Sequence, residues 1–196
     1  SKAPLSIDRG LSACAVIDDK IYVMGGIQVL GNVLDLTANY FKWEGTNRLE
    51  VYDTKNDTWT TLADMPTKRW GHTATAFNGK IYLFGGTSAI GGLYSSVDIY
   101  DPMTNTWDTK STLPKARYCL TSCLLDSHIY VIGGWANSSG GPIYDKVEVY
   151  NPQTNEWKTE NPIPVPIAGA VPLIVDGKIR VYGGTLTTHP NIGTSA

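Results

Sequence analysis

Glycine pairs recur along this chain at Gly25-Gly26, Gly85-Gly86, Gly133-Gly134 and Gly183-Gly184, spaced 60, 48 and 50 residues apart. An apolar run precedes each pair: Ile21 to Met24, Ile81 to Phe84, Ile129 to Ile132 and Ile179 to Tyr182. Three of the four copies then carry a tyrosine, at Tyr52, Tyr100 and Tyr150, and each is followed seven residues later by Trp59, Trp107 and Trp157. Seven residues further stand Pro66, Pro114 and Pro164. Arg69 and Arg117 follow three residues after their prolines, and Arg9 holds the same place in the first copy; the last copy has Ile167 there. Registers held at fixed offsets over the whole chain identify a repeat architecture, in which one supersecondary unit is stacked many times.

Within each unit every signal is β. A first strand, A, follows the arginine and ends in a two-residue turn: Asp18-Asp19, Asn78-Gly79, Asp126-Ser127 or Asp176-Gly177. Asn-Gly and Asp-Gly suit a hairpin turn whose two central residues both need positive φ. The apolar run before the glycines is strand B, long enough and greasy enough for burial on both faces. Strand C alternates, as in Leu49-Glu50-Val51-Tyr52, and predicts a half-exposed strand. A turn rich in Pro, Asn and Asp leads to strand D, which holds the tryptophan. Four short antiparallel strands in about 50 residues make one propeller blade.

Glycine pairs after a β run, then a Tyr-Asp or Tyr-Asn pair, then a tryptophan, resemble the kelch repeat over essentially the whole chain. The resemblance implies an all-β, kelch-type β-propeller with strand A at the central channel and strand D outside. About three and a half four-stranded blades are present, a partial ring, divided as residues 1–66, 67–114, 115–164 and 165–196. The first and last blades would each expose an apolar flank, and the remaining blades are expected from further chain.

Residues repeated from copy to copy read as structural. Gly25, Gly26, Gly85, Gly86, Gly133, Gly134, Gly183 and Gly184 permit unusual φ and close backbone approach. Tyr52, Tyr100 and Tyr150 pack with Trp59, Trp107 and Trp157. Arg9, Arg69 and Arg117 predict buried, charge-assisted hydrogen bonds to carbonyls or carboxylates. Function belongs where the copies differ. The strand directions put the B–C and D–A loops on one face, and the two-residue A–B turns leave little room on the other. Kelch proteins tend to bind partners through residues just after the glycine pair and just after the arginine, which implies Trp70, His72, Thr87, Tyr118 and Trp135 as candidate binding residues here. The long first B–C loop, 27–48, holds Asp35, Tyr40, Phe41, Trp43 and Glu44, and a loop of that length and aromatic content either serves function or covers a blade edge.

The sequence reads as a protein-interaction module and not as an enzyme, with no cofactor and no metal. His72, His128 and His189 stand too far apart in the repeat to share one ion, and His72 is expected at the surface or the channel mouth. The alternative is part of a propeller enzyme, carbohydrate-active or metal-dependent, whose site lies partly in other blades. Net charge is -2, so phosphate neutralisation has no electrostatic support and no nucleic-acid partner is expected. No apolar run reaches membrane-span length, and no membrane insertion is expected. Three cysteines, Cys14, Cys119 and Cys123, read as small buried hydrophobes. Unpaired thiols lean towards a cytoplasmic compartment and leave secretion open.

Overall fold

A computed structural model describes residues 2–29, 43–88, 91–137 and 141–186. Sixteen elements lie among them and all are strands. The first blade begins with β1 (Ala13–Ile17) and β2 (Lys20–Met24). A short hairpin, β3 (Ile27–Val29) with β4 (Trp43–Gly45), rises out of the B–C loop, and β5 (Leu49–Asp53) and β6 (Thr58–Thr61) complete the sheet in the order β1-β2-β5-β6. The second blade is β7 (Thr73–Phe77), β8 (Lys80–Phe84), β9 (Ser96–Asp101) and β10 (Thr106–Thr112). The third is β11 (Thr121–Leu125), β12 (His128–Ile132), β13 (Val147–Asn151) and β14 (Glu156–Glu160). A two-stranded sheet follows, β15 (Ala168–Val175) with β16 (Lys178–Thr185). The result is an all-β partial propeller ring that does not close. The hairpin β3–β4 is additional to the repeat; Asp35, Tyr40 and Phe41 of that loop, and His189, lie outside the described residues.

Turn chemistry explains the A–B hairpins. Asn78 and Gly79 sit at φ 49° and 72°, Asp126 and Ser127 at 48° and 62°, and Asp176 and Gly177 at 52° and 66°. Those left-handed pairs are what a primed two-residue turn demands.

The core is a series of wedges between blades. Ala13, Ala15, Met24, Leu49 and Val51 of the first sheet meet Ile81, Leu83 and Tyr100 of the second. Tyr82, Phe84, Val97 and Ile99 turn the other way, onto Leu120, Ile129, Val131 and Tyr150 of the third. Alternate residues of β8 therefore enter two different wedges, which is why strand B is apolar without interruption. The glycine pair stitches the wedges. The amides of Gly26, Gly86 and Gly134 donate to the Arg69, Arg117 and Ile167 carbonyls of the next blade, at 2.9, 2.9 and 2.8 Å. A Cβ at Gly85 would lie 2.5 Å from the Arg117 carbonyl oxygen and one at Gly133 2.1 Å from that of Ile167, so no other side chain fits.

Two expectations change. Strand C is not half-exposed: Leu49, Glu50, Val51 and Tyr52 are all buried, as are Val97 to Tyr100 and Val147 to Tyr150. Its polar member is an acid with a buried cationic partner, so alternation there marks an ion pair and not a wet face. Cys14 is exposed, not buried, because it lies on the outer flank of β1 with Leu11 and Val16, which are exposed too. At the other end Val171, Leu173, Ile174 and Tyr182 are exposed on β15 and β16. These are the two open flanks of the ring.

Candidate functional site

The arginines form the frame under the B–C and D–A face. Arg69 Nη1 donates to the Gly85 carbonyl at 3.2 Å, and Nη2 reaches Ser96 Oγ at 3.0 Å and the Asp98 carboxylate. Arg9 donates to the carbonyls of Arg48 and Val23 and pairs with Glu50 at 2.9 Å. Arg117 donates to the Gly133 carbonyl at 3.1 Å and pairs with Glu148. All three guanidinium side chains are wholly buried. Burial lowers their pKa, to about 10 for Arg117, while the Asp98 and Glu50 charges oppose the effect at Arg69 and Arg9. Arg69 and Arg117 thus tie the corner after strand B to strand C of their own blades, and Arg9 ties strand B itself, through Val23, to strand C. The Arg69 and Arg117 carbonyls take the glycine amide of the blade before.

Glu50, Asp98 and Glu148 are the partners that the sequence reading missed. Each stands two residues before the repeated tyrosine, a fixed offset that would have revealed them. Tyr94 and Tyr144 were missed too, although each lies six residues before Tyr100 or Tyr150. Arg69 sits 4.4 Å over the Tyr94 ring and Arg117 5.4 Å over Tyr144, within cation–π range.

Above this frame the residue after each of the first three glycine pairs is held in a three-member backbone bridge. Ile27 lies between Gly10 and Gly45, Thr87 between Trp70 and Leu93, and Trp135 between Tyr118 and Ile143. The backbone is the same in each blade while the side chains are different. In the second and third blades the side chains converge. Trp70 meets Tyr118 edge-on at 5.5 Å, and Tyr118 stacks with Trp135 at 6.5 Å. Leu93, Ile143 and Ala168 pack with them. The aromatics are not free-standing anchors: Tyr118 and Trp135 are each 4% exposed, Thr87 is buried, and Trp70 is half-buried. They have folded against one another because three adjacent large rings leave more apolar area covered that way.

His72 is also inside, not at the surface. Nε2 bonds to the Met24 carbonyl of the preceding blade at 3.1 Å. Burial, with the Arg69 charge adding, lowers its pKa to about 3, so the ring is neutral throughout the physiological range. Cys119 and Cys123 are half-buried free thiols pushed up to about 11 by burial, which leaves little nucleophilic thiolate. Among the described residues no group of three or more His, Cys, Asp or Glu side chains is placed to hold a metal.

The opposite face has more room than its short turns suggest. Clefts of about 440 and 410 Å³ lie between the first and second and between the second and third blades, against about 280 Å³ beside Gln28, Glu44 and Lys68 on the B–C face. Their walls use repeated residues, Lys20, Tyr22 and Asp53 in one and Lys80, Tyr82 and Asp101 in the other.

Repeated four-stranded sheets, buried arginine corners and inter-blade glycines define a β-propeller built from sequence repeats. Residues 8–184 match the KLHDC2/KLHL20/DRC7 Kelch-repeats domain, and the chain belongs to the kelch-repeat family. It is 38% identical over 86 residues to an F-box/kelch-repeat protein of Arabidopsis thaliana, covering 44% of this chain and 20% of that one. It is 34% identical over 86 residues to human Kelch-like protein 15, covering 44% and 13%. Kelch-like protein terF of Aspergillus terreus is 35% identical over 86 residues, at 43% and 17%. The matched segment thus spans a fifth or less of these relatives' length.

Proposed function

We propose that this propeller segment is a protein-interaction module whose partner docks on the face formed by the B–C and D–A loops. The carrying observation is the bridge repeated in three blades, Gly10–Ile27–Gly45, Trp70–Thr87–Leu93 and Tyr118–Trp135–Ile143. A constant backbone that presents changing side chains is what recognition requires of a rigid scaffold. Trp70, Leu93 and Ile143 are the half-buried members that keep accessible surface, and they supply the contact. Thr87, Tyr118, Trp135 and His72 lie beneath and hold them in place. The clefts of the other face share Lys20, Tyr22 and Asp53 of the first blade with their counterparts Lys80, Tyr82 and Asp101 of the second, so we assign them to the frame. In the same reading further blades cover the two apolar flanks.

The test places a photo-crosslinking residue at Leu93 or Ile143, and at Met103 on the opposite face. Protein adducts at the first two positions, lost on Trp70→Ala with the melting temperature unchanged, support the reading. Equal labelling at Met103 would sink it.

A further inference from the structure

Blade four shows an edge with a definite chemical preference. In the first three blades strand B pairs with strand C in one register, which sets Val23 opposite Glu50, Leu83 opposite Asp98 and Val131 opposite Glu148. Each of those acids is buried and each is neutralised by the arginine of its own blade. In the fourth, β16 pairs only with β15 among the described residues. Val181 stands at the position of Val23, Leu83 and Val131, two residues before its glycine pair. The residue at the arginine position is Ile167. Its carbonyl still accepts the Gly134 amide at 2.8 Å, so the backbone frame is unchanged and only the cation is gone. Arg180 does not replace it. It is the neighbour of Val181, so its side chain leaves the opposite side of the strand, and its guanidinium lies 3.8 Å from Asp176.

We propose that the outer edge of β16 accepts an extended strand whose residue opposite Val181 is uncharged, flanked by apolar residues and a tyrosine as in β5, β9 and β13. The proposal rests on the reading that further blade structure covers this flank, and it specifies the strand that does so. An acid at that position would be carried into the wedge with no guanidinium to meet it, and a buried, unpaired carboxylate is strongly disfavoured. The exposed Tyr182 on β16 itself supplies apolar surface beside a docking strand, and main-chain pairing supplies the register.

The experiment uses two synthetic peptides copied from residues 146–160, one with Glu148 and one with Glu148→Gln, and reads their affinity for the 196-residue chain by fluorescence anisotropy. The glutamine peptide is expected to bind more tightly by about tenfold or more. Ile167→Arg, its fold checked by circular dichroism, restores the cation and reverses the order. Equal affinity of both peptides for the unaltered chain overturns the charge preference while leaving strand addition standing. Binding by neither peptide overturns both. If Ile167→Arg does not fold, the comparison of the two peptides on the unaltered chain still decides.

Discussion

The Cys119 amide donates to the Gly71 carbonyl across 2.6 Å, and this bond is one link of a chain that crosses all four blades. Gly71 donates to Leu11 at 3.0 Å, and Gly169 to Cys119 at 2.7 Å. Each of these residues lies two positions after the arginine or its Ile167 counterpart. All four are left-handed, with φ 54° at Leu11, 61° at Gly71, 51° at Cys119 and 66° at Gly169. A left-handed turn is what aims the amide of one blade at the carbonyl of the last.

Gly71 is the tight member of that chain. A Cβ there would meet the Cys119 amide nitrogen, its Sγ and the Tyr118 ring, all at 3.3 Å. Gly71→Val adds a β-branched side chain at positive φ and crowds that contact, so it should lower unfolding stability by about 2 kcal/mol or more. Gly79→Ala, also at positive φ but with nothing near its Cβ, should cost only about 1 kcal/mol. Urea denaturation of the two variants measures the difference; equal losses would mean that the inter-blade contact contributes nothing.

The Arg69–Asp98 pair makes the next prediction. Both side chains are buried, so Arg69→Met leaves a carboxylate in the wedge without its partner and should cost about 3–5 kcal/mol. The double variant Arg69→Met with Asp98→Val removes the orphan and should recover most of that loss. Ile167 shows that the arginine position accepts an apolar residue. Additive losses in the double-mutant cycle would rule out the coupling.

How much of this was legible in the sequence depended on whether a signal was local. Strand B and the A–B turns were readable because burial on two faces and left-handed turn residues leave marks on consecutive positions. Glu50, Asp98 and Glu148 are not legible locally because alternation is also the mark of a wet strand face, and the partner arginine lies 29 to 41 residues away. His72 and Tyr118 begin or precede a strand at the channel end, where composition does not tell a wet rim from a packed one. Their burial follows from the neighbouring blade, which a single repeat cannot show. The β3–β4 hairpin was hidden for a different reason: Ile27 to Val29 pairs with Trp43 to Gly45 across the same loop, and no periodicity marks it.

Outer-strand tryptophans are bracketed by the same geometry three times. Trp59, Trp107 and Trp157 lie opposite Tyr52, Tyr100 and Tyr150, with ring centroids 5.0, 5.1 and 5.0 Å apart. Trp107 Nε1 also donates to the Ala63 carbonyl of the previous blade at 2.9 Å. The indole is only half-buried, so Trp107→Ala should cost about 2–3 kcal/mol, below the 3–5 of a fully buried ring. Trp107→Phe keeps the packing and loses the hydrogen bond, and should cost about 1 kcal/mol. Thermal unfolding of the two variants separates packing from hydrogen bonding; a larger loss for phenylalanine than for alanine would contradict the geometry.

His72 gives the fold a pH dependence of known sign. Its pKa is about 3 when folded and 6.5 in the open chain. Between those values the unfolded state binds a proton that the native state refuses, so stability is at its full value above pH 6.5 and declines as the pH falls. The slope is about 1.4 kcal/mol per pH unit, which amounts to roughly 2–3 kcal/mol between pH 6.5 and 4.5. The structurally lowered carboxylates Asp53, Asp57, Asp101 and Asp108 act in the same direction. They start from an ordinary value of 3.8, so most of their effect falls below that window. Leu120 fills the equivalent place in the next blade, against Gly85 as His72 lies against Gly25. His72→Leu should therefore fold, lose the Met24 hydrogen bond, and show a much flatter stability profile from pH 6.5 to 4.5. Guanidinium titrations across that range make the comparison, and an unchanged slope in the variant would show that His72 is not the group being protonated.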